Sequence, residues 1–205
     1  MSRRPRNTCK ALATIGALFI GTAPARAQTL SLAPTFGVYF PTTELIKAVN
    51  GRSFKQEVGI AVGGRLGIGF SRRLGFQLTG SYVPSNLRFA FDGTNQTTDA
   101  SLFFGAGKLS FFLLPPTSPV SFQLNGGVAL VKRSGTAYQD LKDKTSVGGT
   151  VGAQLGLRLG PLPLQFAVET YLYKQQLDGL TSETGEQASQ KDVQLSIGFG
   201  LPFSH

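Results

Sequence analysis

Hydrophobic and polar residues alternate along most of the chain with a period of two. The last segment shows this most clearly, because apolar residues at 193, 195, 197, 199, 201 and 203 alternate with small or polar ones. Such alternation places successive side chains on opposite faces of a β-strand. The sequence shows no sustained helical periodicity after residue 28, so the pattern predicts an all-β fold.

Eight segments carry the alternation, and three of them are less regular. In 101–114 the residues Phe104 and Phe112 blur the pattern. Pro34 interrupts the first segment and predicts a bulge or an edge-like position there, since proline cannot donate to a strand ladder. The third segment changes phase at Pro84, which predicts a bulge at 84–86. The eight predicted strands are 29–40, 57–71, 74–91, 101–114, 120–133, 147–159, 164–174 and 192–203.

The links between these strands alternate strictly between long and short. The short ones are 71–73, 115–119 and 160–163, and the long, polar ones are 41–54, 92–100, 134–146 and 176–190. An up-and-down meander therefore places every long loop at one end and every short turn at the other. The first long link also predicts one helical turn, with Thr43 as its N-cap and Gly51 beyond its C-terminus.

The composition of the polar face distinguishes a membrane barrel from a soluble one. A soluble, lipocalin-like barrel alternates as well, but its water-facing side would be rich in charged residues. Only 15% of this chain is charged, against roughly 25% in soluble domains. The polar face is mostly Gly, Ser, Thr, Gln, Asn and Ala, which suit the crowded interior of an eight-stranded barrel. The pattern therefore predicts an eight-stranded antiparallel transmembrane β-barrel with its apolar face toward lipid.

Residues 1–27 have the pattern of a secretory signal peptide. A basic start is followed by a short apolar run, and Ala25, Arg26 and Ala27 supply the small-residue cleavage pattern. We expect the mature chain to begin at Gln28, which makes 28–205 the barrel domain.

Removal of this segment changes the charge of the chain. The whole sequence carries +9, but five of its 20 basic residues and none of its 11 acidic ones lie in 1–27, so the remainder carries +4. It shows no basic stripe, which excludes nucleic acid as an expected partner. The single cysteine, Cys9, also lies in this segment, so the mature chain has no disulfide or thiolate metal site.

The signal peptide, the eight strands, the alternating loops and the aromatic-ended closing strand 194–203 resemble the small outer-membrane β-barrel family of the OmpA/OmpX type. The resemblance covers 28–205 and contains no motif of chemistry. It implies a bacterial outer-membrane location with both termini in the periplasm, contact with outer-membrane lipids and lipopolysaccharide, and assembly by the barrel-assembly machinery. Phe203 takes the place of the terminal aromatic that this machinery reads, although Ser204 and His205 follow it and the chain has no Trp.

Chemistry of the family's lipid A-modifying members would require a suitably placed histidine, the usual base for an activated serine. The only histidine here is His205, the final residue, beyond the last predicted strand. We therefore expect no catalytic residues, no cofactor and no metal site.

The polar faces of three strands carry charged residues at similar depth, as counted from the short-turn end. These are Arg65, Lys108 and Glu169. Since buried charges need partners, we predict that Glu169 pairs with Arg65 or Lys108 and closes the lumen. The alternative is that these side chains meet only water.

Three functions are compatible with this reading. The first is a non-enzymatic envelope protein with a structural role, or with surface interactions through its long loops and an unidentified extracellular partner. The second is a narrow channel or carrier for small apolar solutes, through a lateral or loop-side opening. The third is a lipid-modifying enzyme that uses a base other than histidine.

Overall fold

The computed structural model describes residues 29–43, 46–49, 52–91, 94–139, 144–159, 162–176 and 187–203. The predicted signal peptide, with Ala25, Ala27 and Gln28, lies outside these residues, and so does His205. No helix in the described ranges is long and apolar enough to cross a bilayer.

Strands make up most of the described chain, together with one short 3₁₀ turn at Thr136–Tyr138. The strands are β1 (Thr29–Pro41), β2 (Ile46–Val49), β3 (Arg52–Gln56), β4 (Gly59–Gly69), β5 (Leu74–Val83), β6 (Asn86–Phe91), β7 (Thr94–Asp99), β8 (Ser101–Leu114), β9 (Val120–Ser134), β10 (Thr145–Leu159), β11 (Leu162–Gln176), β12 (Gln187–Phe199) and β13 (Leu201–Phe203).

A closed antiparallel barrel forms the body of the molecule, which confirms the predicted fold. Its strand order is β1-β4-β5-β8-β9-β10-β11-β12, and β12 pairs back with β1. The short strand β13 continues the line of β12 and also pairs with β1. Because Leu30 pairs with Phe203, the start of β1 and the end of β13 lie together at the short-turn end.

The seam between the first and last strands is interrupted near Pro34. Pairing with β12 stops at Thr35, and pairing with β13 resumes at Leu32 in the same register. Thr42 N–H donates to Lys191 O at 3.1 Å, so the even-numbered residues of β1 direct their N–H groups toward the last strand. Pro34 has no N–H to donate. The predicted bulge is absent, because β1 keeps its register with β4 through Pro34, but the ladder has the predicted edge-like gap.

Two of the long links fold into a second sheet rather than into irregular loops. Its order is β2-β3-β6-β7. The helical turn predicted between Thr43 and Gly51 is wrong, since residues 46–49 form β2 and pair with β3. A partner strand outweighed the local capping signal here, as tertiary pairing often does. The bulge predicted at 84–86 is a strand boundary: the chain leaves the barrel after Val83 and enters the second sheet at Asn86.

Burial across the barrel wall is reversed relative to a water-soluble protein. The outward face carries apolar side chains such as Ile60, Leu109 and Val147, which are 65%, 68% and 67% exposed. The inward face carries buried polar side chains, among them Gln77 and Asn125. Since the two faces alternate along every barrel strand, the functional groups of the wall converge on the lumen.

Candidate functional site

The centre of the lumen holds a cluster of three charged side chains from three strands. Lys108 Nζ on β8 donates to Glu169 Oε1 on β11, and Arg65 Nη2 on β4 lies 3.6 Å from the same oxygen. All three residues are buried. The structure thus brings together the three residues that were predicted to lie at similar depth in the lumen. Glu169 contacts both cations rather than one.

Hydrogen bonds to uncharged side chains hold this ion cluster in place. Tyr171 Oη donates to the second oxygen of Glu169 at 2.8 Å. Arg65 donates from Nη1 to Gln165 Oε1 and from Nη2 to Ser196 Oγ, each at 3.2 Å. Both Glu169 oxygens therefore have partners, as a buried carboxylate requires.

An aromatic group lies next to the ion cluster. The Phe104 ring is 4.7 Å from the Tyr171 ring and 5.5 Å from the Tyr39 ring, centroid to centroid, in tilted arrangements. These spacings are within the range of favourable aromatic pairs. Because all three side chains are buried, the rings fill the width of a narrow barrel.

Nearer the long-loop end, a second polar network crosses the lumen. Arg133 donates to Gln175 Oε1 and, at 2.9 Å, to the Tyr173 hydroxyl. Tyr173 in turn donates to Asp192 Oδ2. One cation and one carboxylate thus belong to the same hydrogen-bonded network.

A side chain from the link between β9 and β10 covers this network. Tyr138 is fully buried, its ring centroid lies 5.8 Å from the Arg133 guanidinium carbon, and its hydroxyl donates to Gln56 Oε1. Gln56 Nε2 donates to Ala100 O at 3.1 Å, which ties the turn to the chain after β7. Burial raises the pKa of the Tyr138 phenol, so it remains a neutral donor at physiological pH.

The opposite end of the lumen is not filled. A cavity of about 170 Å³ lies on the short-turn side of the ion cluster. Its polar lining comes from seven strands and includes Ser31, Arg65, Gln77, Ser110, Gln123, Gln154 and Gln165. The lumen is therefore packed through its middle and long-loop half and hollow near the short turns.

Other candidates lie elsewhere or were not found from the pattern. Phe203 ends β13 beside Leu30, where a closing-strand aromatic is expected, and its reading by the assembly machinery stays a prediction. The Tyr138 turn was missed, because nothing in the pattern of its link indicates a buried ring. The Arg133 network was missed, because the uncharged Tyr173 joins Arg133 to Asp192 and only charged residues were compared by depth. The described residues contain no cluster of three His, Cys, Asp or Glu side chains able to hold a metal.

This chain is similar to known proteins in its fold but not in its sequence. No family model and no curated protein matches the sequence. The crystal structure of outer membrane protein OprG from Pseudomonas aeruginosa is similar, with a TM-score of 0.63 and 13% identity, over 87% of this chain and 97% of that one. Neisserial surface protein A (NspA) is similar with a TM-score of 0.55 and 14% identity, over 85% of this chain and 97% of that one. The chain has the fold of the small outer-membrane β-barrels, as its sequence pattern predicted.

Proposed function

We propose that this chain is an integral protein of the bacterial outer membrane, with a closed lumen and a surface role carried by its long-loop end. Its termini lie in the periplasm, and outer-membrane lipids and lipopolysaccharide surround it.

The outward apolar face supports the location. Every barrel strand contributes large apolar residues that are exposed, such as Phe36, Leu78 and Val168. Each of these side chains is about half exposed, so it gains on the order of 1 kcal/mol when its remaining surface leaves water for an apolar environment. A soluble protein rarely exposes a continuous apolar patch above a few hundred Å². A closed barrel also satisfies its backbone polar groups internally, which the bilayer core demands. The two fold neighbours are themselves an outer membrane protein and a surface protein.

Epitope insertion tests the location and the orientation together. A tag placed in the long link 177–186 should be accessible to antibody on intact cells, whereas a tag at 116–118 should react only after the outer membrane is opened. The membrane-extracted protein should also migrate faster unboiled than boiled on a gel. Full solubility without detergent, or surface reaction of the 116–118 tag, would contradict the proposal.

The ion cluster is the single observation that carries the closed lumen. Lys108, Glu169 and Arg65 meet across the barrel, and the rings of Phe104 and Tyr171 pack beside them. A conducting pore would require these buried contacts to break. We expect no discrete conductance steps from the purified protein in planar bilayers, with a general porin as the positive control. Reproducible single-channel steps would favour the channel hypothesis instead.

A surface role without catalysis is the third part of the proposal. At the long-loop end, the connections between β1 and β4 and between β5 and β8 form the four-stranded sheet of β2, β3, β6 and β7. The only histidine of the chain, His205, follows the last strand in sequence. Mass analysis of lipid A from cells with and without the protein should give identical spectra, and a shifted acyl or headgroup mass would indicate an enzyme.

A further inference from the structure

We propose that the cavity at the short-turn end of the lumen is a binding site for a small oxyanion, with Arg65 as its main cationic contact. Hydrogen phosphate is the representative ligand. The inference goes beyond a closed structural barrel, because it assigns a ligand class to the hollow half of the lumen.

The buried charges of the ion cluster do not balance. The ion cluster holds two cations, Arg65 and Lys108, and one carboxylate, Glu169. The network nearer the long-loop end is balanced, since Arg133 and Asp192 share it through Tyr173. None of the described residues that line the cavity is acidic. An unbalanced buried charge is costly, and an anion in the adjoining cavity would neutralise it.

Three residues that line the cavity each carry a polar atom without a partner. Arg65 Nε, Gln77 Oε1 and Ser110 Oγ are buried and have no hydrogen-bond partner within the protein. All three residues line the cavity. Buried polar groups are nearly always paired. Unpaired atoms also occur at Asn125 and Thr150, which do not line the cavity, so it is the open volume beside Arg65 that distinguishes this place. These three atoms are buried within the wall. Their side chains therefore have to turn toward a guest before Arg65 Nε and the Ser110 hydroxyl donate to an oxyanion and Gln77 Oε1 accepts from a protonated oxygen.

Size and access favour a small ion over a lipid or a peptide. The cavity volume is about 170 Å³, and a cavity of roughly 150 Å³ is known to hold a benzene-sized molecule. Its lining reaches the turn residues Pro116 and Thr117 and the exposed Arg158. The charged side chains of the neighbouring short turn are Arg72 and Arg73. Positive charge around an opening raises the local concentration of anions.

The direct test is a titration of the folded protein with sodium phosphate, followed by NMR. The ionic strength is held constant with sodium chloride, whose anion is not an oxyanion. We expect saturable shifts of the Arg65 Nε–H signal and of the Gln77 and Ser110 backbone amides, with a Kd of about millimolar size, equivalent to roughly 4 kcal/mol. No saturable shift, or shifts confined to Arg72 and Arg73, would overturn the proposal and leave a cavity that holds only water.

Two variants distinguish the effect of the cluster's net charge on phosphate binding from the effect of direct contact with Arg65. Lys108 does not line the cavity, but Lys108→Met leaves one cation and one carboxylate in the cluster. We expect it to weaken phosphate binding about tenfold, and Arg65→Gln to abolish saturable binding. Arg73→Gln, in an exposed turn, is the matched control and should bind within about twofold of the parent protein.

Each variant is first checked for the heat-modifiable gel shift of a folded barrel, and the titration of the unsubstituted protein decides the question if a variant does not fold. Unchanged affinity in folded Lys108→Met, or equal losses in Arg65→Gln and Arg73→Gln, would show that phosphate binds outside the cavity.

Discussion

Lys108 on β8 and Glu169 on β11 form an ion pair across the lumen, with side-chain exposures of 0% and 5%. The two residues are 61 positions apart in sequence and lie on strands that are not neighbours in the sheet. The pair therefore ties opposite parts of the wall together. The pair affects the stability of the barrel less through the attraction between its charges than through the cost of leaving either charge buried alone.

Removal of Glu169 should be strongly destabilising. Glu169→Gln leaves Arg65 and Lys108 buried without a counter-charge, and we expect a loss of about 3–5 kcal/mol in the free energy of unfolding. The measurement is the urea midpoint of the fast-migrating gel band, which suits a chain without Trp. The control is Glu57→Gln, which breaks the Glu57–Arg88 pair at the surface, with side-chain exposures of 28% and 57%, and should cost no more than about 1 kcal/mol. Equal losses would contradict this account.

The two partners of the pair should not be equivalent. Lys108→Met keeps the Arg65–Glu169 contact and leaves the cluster neutral, so we expect a smaller loss than for Glu169→Gln, by about 1–2 kcal/mol. Methionine also preserves most of the apolar stem of lysine. The same unfolding assay ranks the two variants. A larger loss for Lys108→Met would show that the lysine holds the wall by contacts other than charge.

Neighbouring glycines on β4 should respond differently to the same substitution. A Cβ added at Gly63 would lie 2.1 Å from Gly80 O and 2.8 Å from Ser81 Cα, whereas at Gly64 the nearest atom would be Ala33 O at 3.8 Å. Gly63→Ala should thus destabilise the barrel by about 1–3 kcal/mol, since the backbone of β5 must move. Gly64→Ala should change it by less than about 0.5 kcal/mol. Comparison of the two urea midpoints checks the prediction, and equal midpoints would contradict it.

The Tyr138 cover should be sensitive to alkaline pH. Burial raises the pKa of its phenol, so folding favours the protonated form; this contribution is complete below the ordinary tyrosine pKa of about 10 and is lost as pH rises beyond it. Hydrogen exchange at 135–139 should therefore accelerate above about pH 10 more than intrinsic exchange does. Tyr138→Phe should remove that extra dependence.

The same substitution should also raise exchange at neutral pH, because Gln56 Oε1 loses its donor at a cost of about 1–3 kcal/mol. Ser146→Ala is a suitable control, since its hydroxyl contacts Gln175 within the lumen and not the turn. An unaltered exchange profile in Tyr138→Phe would show that the turn is held by its backbone alone.

The sequence by itself determined the barrel, the number of its strands and the side of the wall that each residue faces. Period-two alternation is a local property, since each side chain follows from the backbone of its own strand. Depth counting along the strands was sufficient to place Arg65, Lys108 and Glu169 together. The alternation of long and short links likewise placed the two ends, because antiparallel neighbours need only a turn between them.

Only the tertiary structure decided which residues meet once strands from distant parts of the chain close into a barrel. The Arg133–Tyr173–Asp192 network depends on how far each strand is shifted against its neighbours, which local patterns do not encode. The strand β2 formed where a helical turn was predicted, because its backbone groups found a partner in β3. The cover by Tyr138 and the hollow beneath Arg65 are properties of the enclosed volume, and volume exists only after closure.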